Sequence, residues 1–262
     1  MESNPLTVKS PMGWLPEPPE VGAPRPLPMG SLAFILALIL SACGPRPHVP
    51  PLSTIIAGIT PAPDSVTARA RNLAPTLYLH PDETFPLLRV VAVQHPERPI
   101  VAYHLLWRDD VHGAWIPFTT PTDQEVVWVG YDDYGRPTRL WTYWHGTIVG
   151  TDWSGKGRAA VDVQWGKHGS LPRNTVLDDL PWTRQLSLYY AFTWAFPDLL
   201  LGALQREGPV CFCRSYGRYR QFTLPVPLAS RLDLVVVAVN PEPVLRAIFG
   251  ENYSHKPPWP WE

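Results

Sequence analysis

Asp123, Glu125, His145 and His168 are the residues of this chain best suited to chemistry. Two carboxylates and two imidazoles make a donor set for a divalent cation. Zn²⁺, Mn²⁺ or Fe²⁺ suit the mixed oxygen and nitrogen ligands, and Mg²⁺ or Ca²⁺ suit the set if further oxygens join. The four are spread over 46 residues and form no compact motif such as HExxH, so only a fold can bring them together. The alternative is an ordinary cross-strand polar pair, Glu125 with His145, and a loop histidine at 168.

Three segments must do the positioning, and each reads as a strand: Glu125–Tyr131, Arg139–Ile148 and Ala159–Trp165. Side chains alternate along a strand, so Asp123 and Glu125 share a face if Asp123 is extended. Asp132-Asp133-Tyr134-Gly135-Arg136-Pro137 is a turn sequence, because Gly supplies positive φ and Asp bonds its own backbone. A hairpin symmetric about Gly135 sets Glu125 opposite His145, about 5 Å apart at Cβ. A slip of one residue turns His145 to the other side. On the third segment Asp162 and Gln164 share a face, with His168 beyond its end.

The 262 residues suffice for a real core, in one β-rich domain or two small ones. Lys and Arg number 22 and Asp and Glu 23, which gives no basic field for nucleic acid. Residues 1–30 are proline-rich without periodicity and read as disordered or as an over-extended start, with Met29 a candidate first residue. Leu32–Leu40 is an unbroken apolar run, too short for a permanent span and closed by Ser41-Ala42-Cys43-Gly44, as in a secretory leader. A buried hydrophobic helix is the alternative.

Leu40-Ser41-Ala42-Cys43 resembles the bacterial lipobox. The resemblance implies cleavage before Cys43 and diacylation of its thiol, anchoring the chain to a membrane of the cell envelope. Gly44 in place of Asp favours the outer membrane in a diderm host. Each buried CH₂ contributes about 0.8 kcal/mol to such an anchor. Loss of 1–42 removes Lys9, Arg25, Glu2, Glu17 and Glu20 and leaves 20 basic and 20 acidic residues, so anchoring rests on lipid and not on charge.

The expected organisation is a leader over 1–42, a lipidated proline-rich tether over 43–63, a domain over 64–254 and a loose tail over 255–262. Proline-rich segments act as stiff spacers, so the tether is expected to hold the domain off the membrane. Asp64–Leu73 reads as a helix with a cap-like start. Tyr219–Leu224 and Leu232–Val239 read as strands, and Pro241–Phe249 as a short helix with Pro at its start. Leu180–Glu207 reads as two helices broken at Pro197-Asp198.

From Leu73 to Pro172 the chain resembles the Vps62-like proteins, remotely related to the necrosis-inducing NPP1-like proteins. The residues that carry the resemblance are His80-Pro81-Asp82-Glu83, the aromatic strand Tyr103–Trp107, Asp123-Gln124-Glu125 in place of Asp-Trp-Glu, His145-Gly146, and Val163–His168. Thr120, Pro121 and Thr122 stand where that family usually has a histidine, and Lys167 where it has Ser. The resemblance implies a β-sandwich with short flanking helices and an acidic, histidine-lined pocket. In the NPP1-like branch that pocket holds a divalent cation. Carried over, the metal candidates are Asp123, Glu125, His145 and His168.

Other candidates weigh less. Asp109, Asp110 and His112 could complete a shell or form a solvated turn. His80 suits a structural turn. Gly150–Gly157 mimics a phosphate loop but ends in Gly where Ser or Thr is needed, precedes a strand, and reads as a hairpin loop. Ser154 lies outside any G-x-S-x-G elbow. Cys211 and Cys213 are too close in a strand for an unstrained bridge and read as structural. The expectation is an exported, lipid-anchored binding protein that uses a divalent cation. The alternatives are a metal-assisted hydrolase with Glu125 as base, or a structural envelope lipoprotein.

Overall fold

The computed structural model describes residues 49–55, 58–81, 83, 85–108, 123–153, 155, 157–165, 168–175 and 222–261. Cys43 and the apolar run before it, Asp109, Asp110, His112, Ser154, Cys211, Cys213 and the expected helices of 180–207 lie outside the described residues.

The fold is mainly β, as expected. Ten strands among the described residues form two sheets: β1 (Thr76–Leu79), β2 (Leu87–Gln94), β3 (Ile100–Trp107), β4 (Asp123–Tyr131), β5 (Pro137–Trp144), β6 (Thr147–Asp152), β7 (Ala160–Val163), β8 (Ser170–Pro172), β9 (Leu224–Pro227) and β10 (Leu234–Val237). The larger sheet runs β10-β2-β3-β4-β5-β6 and the smaller β8-β7-β1-β9. Pairing is antiparallel except β10 with β2 and β1 with β7. The helices are α1 (Leu52–Ile55), α2 (Asp64–Leu73) and α3 (Glu242–Phe249).

The central strands are buried on both faces, which is why IVAYHLLW and DQEVVWVGY read as nearly continuous apolar runs. Alternation divides their side chains between two cores. Val101, Tyr103, Leu105, Trp107, Val127 and Val129 meet Leu77, Leu79, Val161 and Val163 of the smaller sheet. Ala102, Leu106, Val126 and Trp128 face the other way, onto Leu245, Ile248 and Phe249 of α3 and Trp259. The result is a sandwich with a third layer over one sheet. Tyr103 ties α2 to the first core by donating its hydroxyl to the Ala70 carbonyl at 2.7 Å.

Several expectations are corrected. The β4–β5 hairpin is one residue out of the expected register: Val127 pairs with Thr142 and Trp128 with Trp141, so Trp144, not His145, continues opposite Glu125. The turn centres one residue early, with Tyr131 paired to Pro137, and the irregularity at Gly130/Tyr131 takes back only one of the two residues of offset. Gly135 has the positive φ expected of the turn, at 72°. The strand expected over Arg139–Ile148 is two strands, β5 and β6, joined at His145-Gly146. Gly150 to Asp152 belong to β6, and the chain beyond crosses to the other sheet, so Gly150–Gly157 is not a hairpin loop.

Both ends of the expected domain also differ. The described residues of 49–59 do not extend as a spacer: Val49, Leu52, Ile55 and Ile59 pack on the second core. Buried Arg89 donates to the Pro50 carbonyl at 2.8 Å and to the Ile248 carbonyl at the end of α3 at 2.9 Å. The 255–261 stretch is not loose. Trp128 donates to the Pro258 carbonyl at 2.8 Å, and Trp259 to the Val239 carbonyl at 2.7 Å. Trp259 is 1% exposed. Trp259→Ala should therefore cost about 3–5 kcal/mol in denaturant unfolding, whereas a loose tail residue would cost almost nothing.

Candidate functional site

One end of the sandwich collects the acids and a histidine. Asp123 opens β4, and Glu125 follows on the same face, turned toward the smaller sheet. His168 belongs to the β7–β8 connection. The Gln164 N–H donates to the Gly169 carbonyl, and the His168 N–H to the Gln164 carbonyl, both at 2.9 Å. This closed loop carries the imidazole across to the larger sheet, where its ring stacks on Trp107 at 4.1 Å with planes 3° apart. Phe85 meets it edge-on at 6.1 Å.

The ring nitrogens each face an acid. Nδ1 donates to Asp123 Oδ2 at 3.0 Å, and Nε2 lies 3.5 Å from Glu83 Oε1. The second distance is an ion pair and too long for a good hydrogen bond. His168 is fully buried, which by itself favours the neutral ring. The contacts with Asp123 and Glu83 outweigh that and lift it from 6.5 to about 9, so the ring is an imidazolium at neutral pH. An imidazolium is also the form that gains most from lying on an indole face.

Glu125 has a different partner. Lys256 reaches in from the C-terminal stretch, its Nζ 3.3 Å from Glu125 Oε1 and 4.7 Å from the centre of the Tyr143 ring. The two partners are pulled in opposed senses. Burial pushes Glu125 toward its neutral acid, while Lys256, Asp123 and His168 modulate that push. Burial also works against the Lys256 charge, but Glu125, Asp123 and Tyr143 restore it and raise the group. We hold to a charged Lys256, because two acids and a ring face it, and to an upward direction for Glu125. Glu125 Oε2 and His168 Nε2 are buried without a hydrogen bond.

His145 has a different hydrogen-bond partner. It occupies the β5–β6 turn with φ 46°, and its Nε2 donates to Gln164 Oε1 at 2.7 Å. Gly169 has no side chain because a Cβ there would lie 3.0 Å from the His145 ring and 3.1 Å from Trp144. His168, at φ 53°, shares the left-handed conformation. Such a conformation is uncommon for a residue other than Gly, though His, Asn and Asp adopt it more readily than most, and it is held by its surroundings. Asp162 pairs with Arg173 at 2.7 Å and takes no part. His80 is buried, and its carbonyl accepts from the Glu83 N–H at 3.1 Å in a turn that presents Glu83.

Of the sequence candidates, Asp123 and His168 are bonded to each other, Glu125 feels both their charges, and His145 is engaged elsewhere. Glu83 and Lys256 were missed as members. Glu83 had a signal, lying in the His80–Glu83 motif that carried the family resemblance. Lys256 had none, since the tail was read as loose. Among the described residues no three His, Cys, Asp or Glu side chains are grouped to hold a metal ion. The donor chemistry and the unpaired Glu125 Oε2 fit a cation. The hydrogen bond of His145 and the resident imidazolium and ammonium do not fit a ready four-ligand shell.

No family model matches the chain, and no curated protein matches it. Solved structures similar to it include NLPPya in complex with mannosamine and NLPPya in complex with glucosamine, each at 15% identity and a TM-score of 0.33, covering 45% of this chain and 73% of that one. A third, described as a toxin fold for microbial attack and plant defense, has 15% identity and a TM-score of 0.29, covering 45% of this chain and 74% of that one.

The pH dependence of stability tests the cluster. A group raised by folding contributes stability that is full below its unfolded value and is lost as pH rises through the folded one. For His168 that window runs from 6.5 to about 9, and the loss is on the order of 3 kcal/mol. The upward direction of Glu125 has the same sign, because ionising it at higher pH costs more in the folded state. Urea titrations at closely spaced pH should show stability falling across this window, and His168→Gln should flatten the fall.

Proposed function

We propose that the chain is an exported, lipid-anchored binding protein with a Vps62-like β-sandwich, whose acidic cluster takes up a divalent cation in exchange for protons. The anchor is the acylated Cys43, and membrane attachment follows from the lipobox-like Leu40–Cys43 and the apolar run before it. The observation that carries the cation reading is the buried Glu125 Oε2, which has no hydrogen bond and lies in the same cluster as Asp123 and His168. Buried polar atoms without partners are rare in native proteins and call for an explanation.

Asp123, Glu125 and His168 would hold the ion, with Glu83 alongside and His145 bracing Gln164 from the neighbouring turn. A bound cation would supply a positive centre for an oxygen-bearing ligand. The chain's own groups set the conditions. His168 must give up a proton to become a ligand, and Lys256 must yield its place at Glu125 Oε1. The cation and the proton therefore compete. The hydrolase reading requires Glu125 as a base, and the Lys256 ammonium at one of its oxygens argues against that role.

Calorimetric titration of the full chain in detergent with MnCl₂, ZnCl₂ and CaCl₂ from pH 6.5 to 9 tests the exchange. One ion per chain should bind, more tightly at the higher pH, with protons released. Glu125→Gln and His168→Gln should each weaken binding at least tenfold. A chain that stays metal-free and melts at the same temperature with every ion, at every pH, leaves the structural-lipoprotein alternative. Mass spectrometry checks the anchor: the mature chain should begin at a diacylglyceryl-modified Cys43, and an unmodified residue there contradicts it.

A further inference from the structure

We propose that a cavity on the opposite face of β3 and β4, beneath α3, is a second binding site, specific for a small uncharged ligand rich in hydroxyl groups. The cavity measures about 360 Å³, within the range of small-molecule sites. Its floor is His104 and Gln124, each 1% exposed. Gln124 alternates with Asp123 and Glu125 along β4, so it points away from the acidic cluster.

The floor is chemically unfinished. Both ring nitrogens of His104 are buried without a hydrogen bond. Gln124 Oε1 accepts from the Ser254 N–H at 2.9 Å, but its Nε2 has no partner, nor has the neighbouring Ser254 hydroxyl. Gln124 is opposite Leu106, and His104 opposite Val126, so His104 and Gln124 are diagonal neighbours on one face. Such neighbours stand about 7–8 Å apart at the backbone, which leaves room for a bridging group between their tips. Interiors rarely leave so many polar atoms unpaired in one place.

The missing partner can be described from these groups. Burial pushes His104 down to about 3, so its ring stays neutral and offers one donor and one acceptor. Gln124 adds two N–H donors. A hydroxyl accepts from one and donates to the other, and a ligand with several can satisfy both residues. A charged ligand fits poorly. The ionisable side chains at the rim already have partners, Lys256 beside Glu125 at 3.3 Å and Glu242 beside Arg246 at 2.7 Å. Leu245 and the Tyr253 ring line the walls and suit the C–H faces of a compact polyol.

The test uses the full chain in detergent with ¹⁵N-labelled histidine, titrated with myo-inositol and erythritol as neutral probes and gluconate as a charged one. Saturable shifts of the His104 ring nitrogens with a neutral probe are expected. Binding should weaken at least tenfold in His104→Phe and Gln124→Leu. His104→Phe should keep or raise the melting temperature, because an apolar ring replaces two unpaired nitrogens, whereas Gln124→Leu should lower it modestly, because the Ser254 N–H loses its acceptor. If His104→Phe does not fold, Gln124→Leu and the wild-type titration decide. The proposal is overturned if the neutral probes give no saturable shift, which means that water alone fills the cavity. It is equally overturned if gluconate binds more tightly than either polyol, or if the variants bind as well as the wild type.

Discussion

The constraint on which the rest depends is the burial of a positive charge at His168. A charge removed from water must be paired and held, or it neutralises. Here Asp123 and Glu83 face the two nitrogens and Trp107 covers one face of the ring. The consequence is architectural. His168 belongs to a connection of the smaller sheet, and Asp123 and Trp107 to the larger. At this end the sandwich is therefore joined by an ion pair, where elsewhere apolar contact joins it. Breaking one partner of a buried pair leaves the other uncompensated, and that is what makes such a pair costly to lose.

The same logic explains the strain next to it. His145 and His168 both take left-handed backbone conformations, at φ 46° and 53°. One bonds Gln164, which closes the loop that carries the other. Gly169 lets the two turns touch. Strain of this kind persists only where the surroundings over-determine it. The β5–β6 turn and the β7–β8 loop brace each other, and the acids of β4 gain a fixed counter-charge. On the reverse side of the same strand, Gln124 and His104 lie under α3 and the C-terminal stretch. Lys256 borders both faces, reaching Glu125 on one and lining the cavity on the other.

Much of this was legible in the residues and some was not. The helix Asp64–Leu73 and the β-rich class follow from the sequence pattern, although the helix is entered through Pro63 with no side-chain cap from Asp64 or Ser65, and the turn that contains Gly135 follows from its Asp and Gly. The register did not follow, because the turn centres on Tyr134 and not Gly135, and the irregularity at Gly130/Tyr131, a backbone event that no side-chain pattern announces, recovers only part of the offset. One residue of slip was enough to separate His145 from Glu125. The tail misled because His255–Trp261 carries three prolines among its residues, which looks unstructured, while its energetics lie in two indole N–H bonds to and from distant backbone. His104 was hidden by its neighbours: in IVAYHLLW it reads as one polar residue in a buried strand, and only coordinates show that nothing answers its nitrogens. Asp123 and His168 were found from residue type and a family resemblance, and their hydrogen bond is the part of the expected site that geometry realises.

The charge state of His168 is the most direct measurement. Long-range ¹H–¹⁵N correlation spectra of the histidine rings, recorded from pH 6 to 10, report protonation at each nitrogen. The account predicts that His168 keeps both ring protons through neutral pH and loses one near pH 9. A His168 ring that is already neutral at pH 7.5, titrating in the ordinary histidine range, would contradict it.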